Sequence, residues 1–449
     1  MSSTHGFSLF PTTVPKITIP IPPEKNPSLH RISIVASPPS TASNGESIVI
    51  KMEQEQPPSP QLPAHHDERR DSSPSPEDIG RAITTTSPIV TYRVRGIPCE
   101  WDQDLFEALL TRVLCPTSSA GINICSLAKT PYPQKEKVAT VAFVRTPDFA
   151  VQEPLRDEWQ LDIPCDQDEN KGYDNISLVF DTHFRGFTPL HSKRDEVHKA
   201  DLIALSGLGG HAFGSFKDKG GSHMWLRDSL PQDLPGLRVL IYGYDTRLQN
   251  SQSFQNTSDL GLQLCNSIQD IRNYDSGSNP GIPLIFIGHS LGSIVIKQAL
   301  IDMVETDDPS VKANLASICG ILFFGVPSQG MQIESLIPMV GDQSNRSLLE
   351  SLGPNSPVLR TQNTQFPKVL QGNNTRLVLF FETHLSPTAR KDENGVWRMD
   401  GPSTILVDPA SATHGQGYGQ SSVESLSINR FKTGVITENS RRPQRRLDF

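Results

Sequence analysis

From residue 200 onward the chain repeats one unit, a short unbroken apolar run followed by a stretch with helical spacing. The clearest runs are Leu202-Ile203-Ala204-Leu205, Val239-Leu240-Ile241-Tyr242 (in a strand that starts at Arg238), Pro283-Leu284-Ile285-Phe286-Ile287, Ile318-Cys319-Gly320-Ile321-Leu322-Phe323-Phe324 and Leu377-Val378-Leu379-Phe380-Phe381. Thr404-Ile405-Leu406-Val407 reads as the last strand. Helices are predicted at 225–230, 257–272 and 293–304. Strands that are apolar at every position are covered on both faces, and their alternation with helices gives a parallel sheet. The expected fold class over 200–430 is therefore α/β, a doubly wound and mostly parallel sheet.

The preceding segment has a different rhythm. Ile89-Val90-Thr91-Tyr92-Arg93-Val94-Arg95-Gly96 alternates as a half-buried strand does. Residues 102–114 place Leu105, Leu109, Val113 and Phe106, Leu110, Leu114 at helical spacing behind Asp102 as N-cap. Strands follow at 122–127 and 138–144, a helix interrupted by Pro154 at 148–159, and a strand at 176–181. This β-α-β-β-α-β order is the split βαβ arrangement of small ferredoxin-like and RNA-recognition domains, expected over 89–183. Tyr92 and Phe143 are the candidate base-stacking aromatics. The third strand lacks a basic, Gly-rich, multi-aromatic pattern, so a structural or docking module is preferred to an RNA binder. Residues 184–199 read as a linker.

Composition changes the picture at the front. Of the 37 prolines, 15 lie in residues 1–88, which hold only two aromatics, Phe7 and Phe10. So few large apolar groups do not offset the entropy of ordering a chain, and 1–88 is expected to be a disordered Pro/Ser-rich tail. Residues 431–449, with Arg441-Arg442-Pro443-Gln444-Arg445-Arg446, read as a basic tail. A net charge of −8 argues against general nucleic-acid binding. Six cysteines without CxxC pairing suggest free thiols in a reducing compartment. With no secretory signal and no apolar run long enough to span a bilayer, an intracellular, cytoplasmic and non-secreted protein is expected.

Two motifs carry chemistry. Gly288-His289-Ser290-Leu291-Gly292 matches G-x-S-x-G directly between an apolar strand and an amphipathic helix. That context makes a nucleophile elbow, with Ser290 held above a helix N-terminus and Gly288 and Gly292 required where a Cβ would clash. Ser206-Gly207-Leu208-Gly209-Gly210-His211 follows the first strand of the sheet. A Gly-rich turn there supplies one oxyanion amide, assigned to Leu208, and Leu291 supplies the other. No Lys-Ser/Thr follows the glycines at P-loop spacing, so a phosphate loop is poorly supported. No metal-ligand cluster appears, and neither metal nor cofactor is expected.

With Trp225-Leu226-Arg227 and Leu240-Ile241-Tyr242-Gly243-Tyr244-Asp245, these motifs resemble the serine-active-site, lipase-like (DUF676-type) α/β-hydrolases, in their fungal NACHT-associated branch. Phe323-Phe324-Gly325-Val326-Pro327-Ser328-Gln329-Gly330 resembles the F-F-G-[TV]-P-H-x-G segment of that family. Phe381-Glu382-Thr383 resembles F-Y-E-T, and Val407-Asp408-Pro409-Ala410-Ser411-Ala412-Thr413 resembles V-D-x-x-S-A-T. The resemblance covers about 200–430. It implies an ester or lipid hydrolase, with relatives at the mitochondrion or endoplasmic reticulum and peripheral membrane association.

In this fold the triad runs Ser, then Asp or Glu, then His. Glu382 closes the strand where the acid sits, and Asp408 is the reserve. Only His384 and His414 follow Ser290; His384 is two residues from Glu382, which leaves His414 as base. Relatives carry their base later, in a segment resembling N-R-x-H-S-x-M-V-K-F, where this chain reads Asn429-Arg430-Phe431-Lys432-Thr433-Gly434-Val435 without histidine. His289 reads as a packing residue, and His211 as either a substrate contact or a solvent-facing group. Two functions stay open. One is a serine esterase acting on a small-molecule ester or lipid through an acyl-enzyme on Ser290. The other is a catalytically impaired sensor or protein-interaction module, with protein partners reached through the N-terminal domain.

Overall fold

The structure is a computed structural model. It describes residues 16–19, 30–37, 47–54 and, from 90 onward, all except 115–120, 132–135, 165–174, 192–197, 219–220, 274–280, 372–374, 416–419 and 427–449. Within the expected 1–88 tail, Lys16–Ile19, His30–Ser37 and Ser47–Gln54 pair as an antiparallel sheet, with Ile34 opposite Ile50. The rest of that stretch and the 431–449 tail lie outside the described residues.

Residues 91–181 form a five-stranded antiparallel sheet. Its order is Ile122–Lys129, Glu136–Phe143, Thr91–Pro98, Asn175–Asp181, Glu158–Pro164. Four of these strands follow the split βαβ order. The fifth corrects the predicted helix at 148–159, which stops at Gln152 after five residues. The chain from Glu158 to Pro164 instead forms an edge strand on Asn175–Asp181. Tyr92 and Phe143 are 3% and 6% exposed and meet edge to face at 5.4 Å, with Phe149 and Trp159 also against Tyr92. Both rings belong to the core of this unit, so neither is a platform for bases.

The second sheet has seven strands, labelled here β1 (Gly186–Pro189), β2 (Ala200–Leu205), β3 (Leu237–Gly243), β4 (Leu284–His289), β5 (Ile318–Phe324), β6 (Arg376–Glu382) and β7 (Gln420–Leu426). The spatial order is β7-β6-β5-β4-β2-β3-β1, and every pair is parallel except β1 on β3. Because side chains alternate along each strand, the apolar runs feed two cores. Ile203, Leu205, Phe286 and Phe323 pack on the face carrying the Thr257–Asn273 and Leu291–Glu305 helices. Leu202, Ala204, Ile285, Ile287 and Leu322 pack on the other face with Phe184, Phe213 and Trp225.

Two sheet strands differ from expectation. The predicted linker 184–199 contains β1, an antiparallel edge strand too short and Gly/Pro-rich to stand out. Residues 404–407 are not a sheet strand; Ser403–Thr404 only pairs with Ser386–Pro387 outside the main sheet. Among the described residues the last strand is β7, whose polar sequence QSSVESL suits its place at the edge of the sheet. The two sheets are joined by Arg93, which is 2% exposed. Its Nε donates to Asp181 Oδ2 at 2.7 Å, and the guanidinium also donates to Arg185 O and Thr188 Oγ1. Among the described residues no helix is long and apolar enough to cross a membrane.

Candidate functional site

β4 ends centrally in the sheet, and the chain turns at once into the Leu291–Glu305 helix. Ser290 makes the turn with φ 49° and ψ −118°, a region that side-chain-bearing residues rarely enter. The turn is held by Ser290 N–H donating to Phe324 O at 2.9 Å and Ser293 N–H donating to Ser290 O at 3.0 Å. Contact explains the flanking glycines. A Cβ on Gly288 would lie 2.7 Å from Ser293 Cα, and one on Gly292 would lie 2.6 Å from Ser206 O and 2.7 Å from Leu205 O. The helix start is thus pressed onto the end of β2.

The same compression brings the Gly-rich turn to the serine. A Cβ on Gly207 would sit 2.8 Å from Ser290 Cβ. The turn is fixed from behind: Tyr244 Oη donates to Ser206 O at 2.7 Å, Gly209 N–H donates to Thr246 O at 2.6 Å, and Thr246 Oγ1 donates to Gly210 O. Neither Leu208 N–H nor Leu291 N–H donates to a described residue. Two unengaged amides therefore flank the serine turn, one on each segment.

A seven-stranded sheet with one antiparallel edge strand and a serine strained at the end of its central strand defines the fold. It is the α/β-hydrolase fold. No family model matches the chain. The sequence is similar to Protein SERAC1 of Danio rerio, with 26% identity over 202 residues, 41% of this chain and 30% of that protein. Protein SERAC1 of Homo sapiens is 23% identical over 203 residues, again 41% of this chain and 30% of that protein. The chain thus spans less than a third of the length of these two relatives. Similar solved structures include the mature lipase BlEst2 of Bacillus licheniformis, at TM-score 0.31 and 15% identity over 44% of this chain and 73% of that one. The type II thioesterase YbtT of yersiniabactin biosynthesis also has TM-score 0.31 and 15% identity, over 55% of this chain and 92% of that one.

The other candidate residues are placed as follows. Glu382 ends β6, two strands from β4; its Oε2 accepts from Ser386 Oγ at 3.2 Å, and burial raises its pKa. Gly325, at φ +57°, lies against Glu382 Oε1. Asp408 caps the Pro409–Ala412 helix by accepting from Ala410 N–H at 2.8 Å, and it does not end a sheet strand. His414 Nδ1 lies 3.1 Å from Gln329 Nε2, and burial followed by the Lys297 charge lowers its pKa. No hydrogen bond or ion pair joins His414 to Ser290 or Glu382 among the described residues. His414 also precedes β7 in the chain.

His211 is exposed, as one of its two expected roles has it, but both ring nitrogens are engaged. Its Nδ1 accepts from Phe213 and Gly214 N–H, so Nε2 carries the proton and donates to Thr182 O at 2.6 Å. The ring ties the Gly-rich turn to the end of the five-stranded unit. His289 lies beside Gly207. Glu158, Asp181 and His183 bring three ligand-type atoms within 4.8 Å of one another. Arg95 lies 2.5 Å from Glu158 and 3.2 Å from Asp181, and Arg93 lies 2.7 Å from Asp181, so positive charge already stands where a cation would.

Sequence reading overlooked Lys297. Its Nζ donates to Ser328 Oγ at 2.7 Å and lies 5.8 and 5.4 Å from the Phe323 and Phe366 ring centres, and burial lowers its pKa to about 7. A lysine in an apolar helix stretch was the only available signal. Beyond Ser328, Gln329 and Gly330 open one wall of a cleft of ≈ 590 Å³ whose other walls come from 403–411 and Leu385.

Proposed function

We propose that this chain is a serine hydrolase of carboxylic esters, with a small-molecule ester or lipid as substrate. Ser290 Oγ attacks the acyl carbon and its proton passes to the base, His414. The Leu208 and Leu291 amides hold the oxyanion, and Glu382 supports the imidazolium. The C–O bond to the alcohol then breaks, the base gives the alcohol its proton, and water releases the acyl group from Ser290 by the same steps in reverse. The observation that carries the reading is the strained Ser290 pressed against Gly207, with an unengaged amide on each side.

A second reading, a hydrolase-fold sensor or interaction module without turnover, is favoured by the lack of a histidine in Asn429-Arg430-Phe431-Lys432-Thr433-Gly434-Val435, where the family it resembles carries its base. In that reading the five-stranded unit contacts a protein partner. Peripheral membrane association and a site at the mitochondrion or endoplasmic reticulum belong to either reading as extensions of the family resemblance. A fluorophosphonate probe separates the two. Labelling of the folded chain that disappears in Ser290→Ala supports the enzyme, and no labelling of folded wild-type chain overturns it. If labelling occurs, His414→Ala should slow it by about two orders of magnitude or more, in line with loss of a general base; an unchanged rate removes His414 from the mechanism.

A further inference from the structure

The five-stranded unit runs directly into the site. Its strand Asn175–Asp181 exits through Thr182, His183 and Phe184 before β1 begins. Thr182 O accepts from His211 Nε2 at 2.6 Å, which joins that exit to the Gly-rich turn. Phe184 fills the same junction and is fully buried. Its ring stacks on Phe213 at 5.4 Å and meets the His211 ring edge-on at 5.2 Å, with the Arg93 guanidinium 5.7 Å over it. The backbone of Phe184 stands at φ 51°, which a bulky residue holds only where its surroundings enforce it. They do so here. Asp181 Oδ1 accepts from Phe184 N–H at 2.8 Å, and Phe184 O lies so close to the end of β3 that Gly243 has no room for a Cβ.

On its other side His211 is built into the turn. Its Nδ1 accepts from Phe213 and Gly214 N–H, its backbone N–H donates to Ser215 Oγ at 3.0 Å, and Ser215 N–H donates back to His211 O at 3.0 Å. Just before it, Gly210 N–H donates to Gly207 O at 3.0 Å and closes the loop that carries Leu208. Gly207 in turn packs on Ser290. A stretch with glycine at 207, 209 and 210 has little stiffness of its own, so outside ties fix where the Leu208 N–H points. Tyr244 and Thr246 supply those ties from beyond β3, and His211 supplies one from the five-stranded unit. Resting on the ester-hydrolase reading above, we infer that His211 is a positioning residue: through its bond to Thr182, the five-stranded unit aims the Leu208 amide at the oxyanion. The unit is then a working part of the hydrolase as well as a folded module beside it.

Substitution separates the two ring nitrogens, because an Asn amide oxygen reaches the place of Nδ1 and a Gln amide nitrogen reaches that of Nε2. His211→Asn keeps the acceptor for Phe213 and Gly214 N–H and loses the bond to Thr182. His211→Gln keeps that bond and loses the local acceptor. In the full chain, fluorophosphonate labelling of Ser290 should slow by about ten-fold in His211→Asn, where the Leu208 donor is displaced rather than removed. It should stay within about three-fold of wild type in His211→Gln. Hydrogen exchange at Gly209 and Gly210 N–H should quicken by about five-fold or more in His211→Asn alone. In a chain that labels, the inference is overturned if His211→Asn leaves either the labelling rate or this exchange unchanged. It is equally overturned if His211→Gln is the slower of the two, which would make His211 a local cap only. A folded wild-type chain that takes no label removes the hydrolase reading, and exchange at Gly209 and Gly210 in the two variants then decides the His211 link by itself.

Discussion

Gly292→Ala puts the elbow's packing to a quantitative test. The new methyl would stand 2.6 Å from Ser206 O, 2.7 Å from Leu205 O and 2.9 Å from Leu205 C. An ordinary carbon–oxygen contact is about 3.4 Å, so the Leu291–Glu305 helix and the end of β2 must part by roughly 0.8 Å. All three contacts are backbone atoms, and Leu205 is fully buried in a strand paired on both sides, so no side chain can swing aside. Overpacking typically costs about 1–3 kcal/mol, and the rigid neighbours place this case near about 3 kcal/mol. For a unit of this size the melting temperature should fall by roughly 6–12 °C. The displacement also separates Leu291 N–H from the Gly207–Leu208 turn, so fluorophosphonate labelling should slow by about ten-fold or more. Gly281→Ala is the control: nothing lies within 4 Å of its Cβ, so the change should be neutral or stabilising by up to about 1 kcal/mol. Thermal unfolding followed by circular dichroism decides the matter. A Gly292→Ala chain that melts with the Gly281→Ala chain would refute the close approach from which the site is built.

Other expectations follow from buried charge. Lys297 loses its proton near pH 7 when folded and near 10.5 as the free side chain, so between those values the unfolded chain holds more protons. Stability should climb from about pH 7 toward pH 10, by up to about 5 kcal/mol at 1.36 kcal/mol per unit. Urea midpoints at pH 7 and 9.5 should show this rise in the wild-type chain and a much smaller one in Lys297→Met; equal slopes would argue against a buried, proton-poor lysine. Asp181→Ala should cost about 3–5 kcal/mol, because it strips the buried Arg93 of its carboxylate and Phe184 N–H of its acceptor. A midpoint within experimental error of wild type would show that the junction does not depend on this pair. Glu382→Gln should leave the fold intact and slow probe labelling by about ten-fold or more, since it withdraws negative charge from the site; unchanged labelling would remove Glu382 as the acid.

The sequence by itself determined the α/β sheet, because β2 to β6 are buried on both faces and so carry continuous apolar stretches through their middles, with charged residues such as Asp201, Arg238 and Arg376 only near their ends. It also determined the serine turn, since a strand, a G-x-S-x-G turn and a helix in succession leave few other conformations. Edge strands were harder to read. Among the described residues β1, β7 and Glu158–Pro164 each face a partner on one side only, and their mixed or polar sequences follow from that position. Partnership across long chain distances was decided only by the tertiary structure. Gly207 reaches Ser290 because β2 and β4 are neighbours, and Lys297 reaches Ser328 because the helix after Ser290 packs beside the exit of β5. His211 reads in sequence as an open histidine beside a glycine loop, yet the fold commits both ring nitrogens to backbone groups. Hydrogen bonds between segments depend on which strands lie side by side, and strand order is a property of the whole packed sheet rather than of any local run of residues.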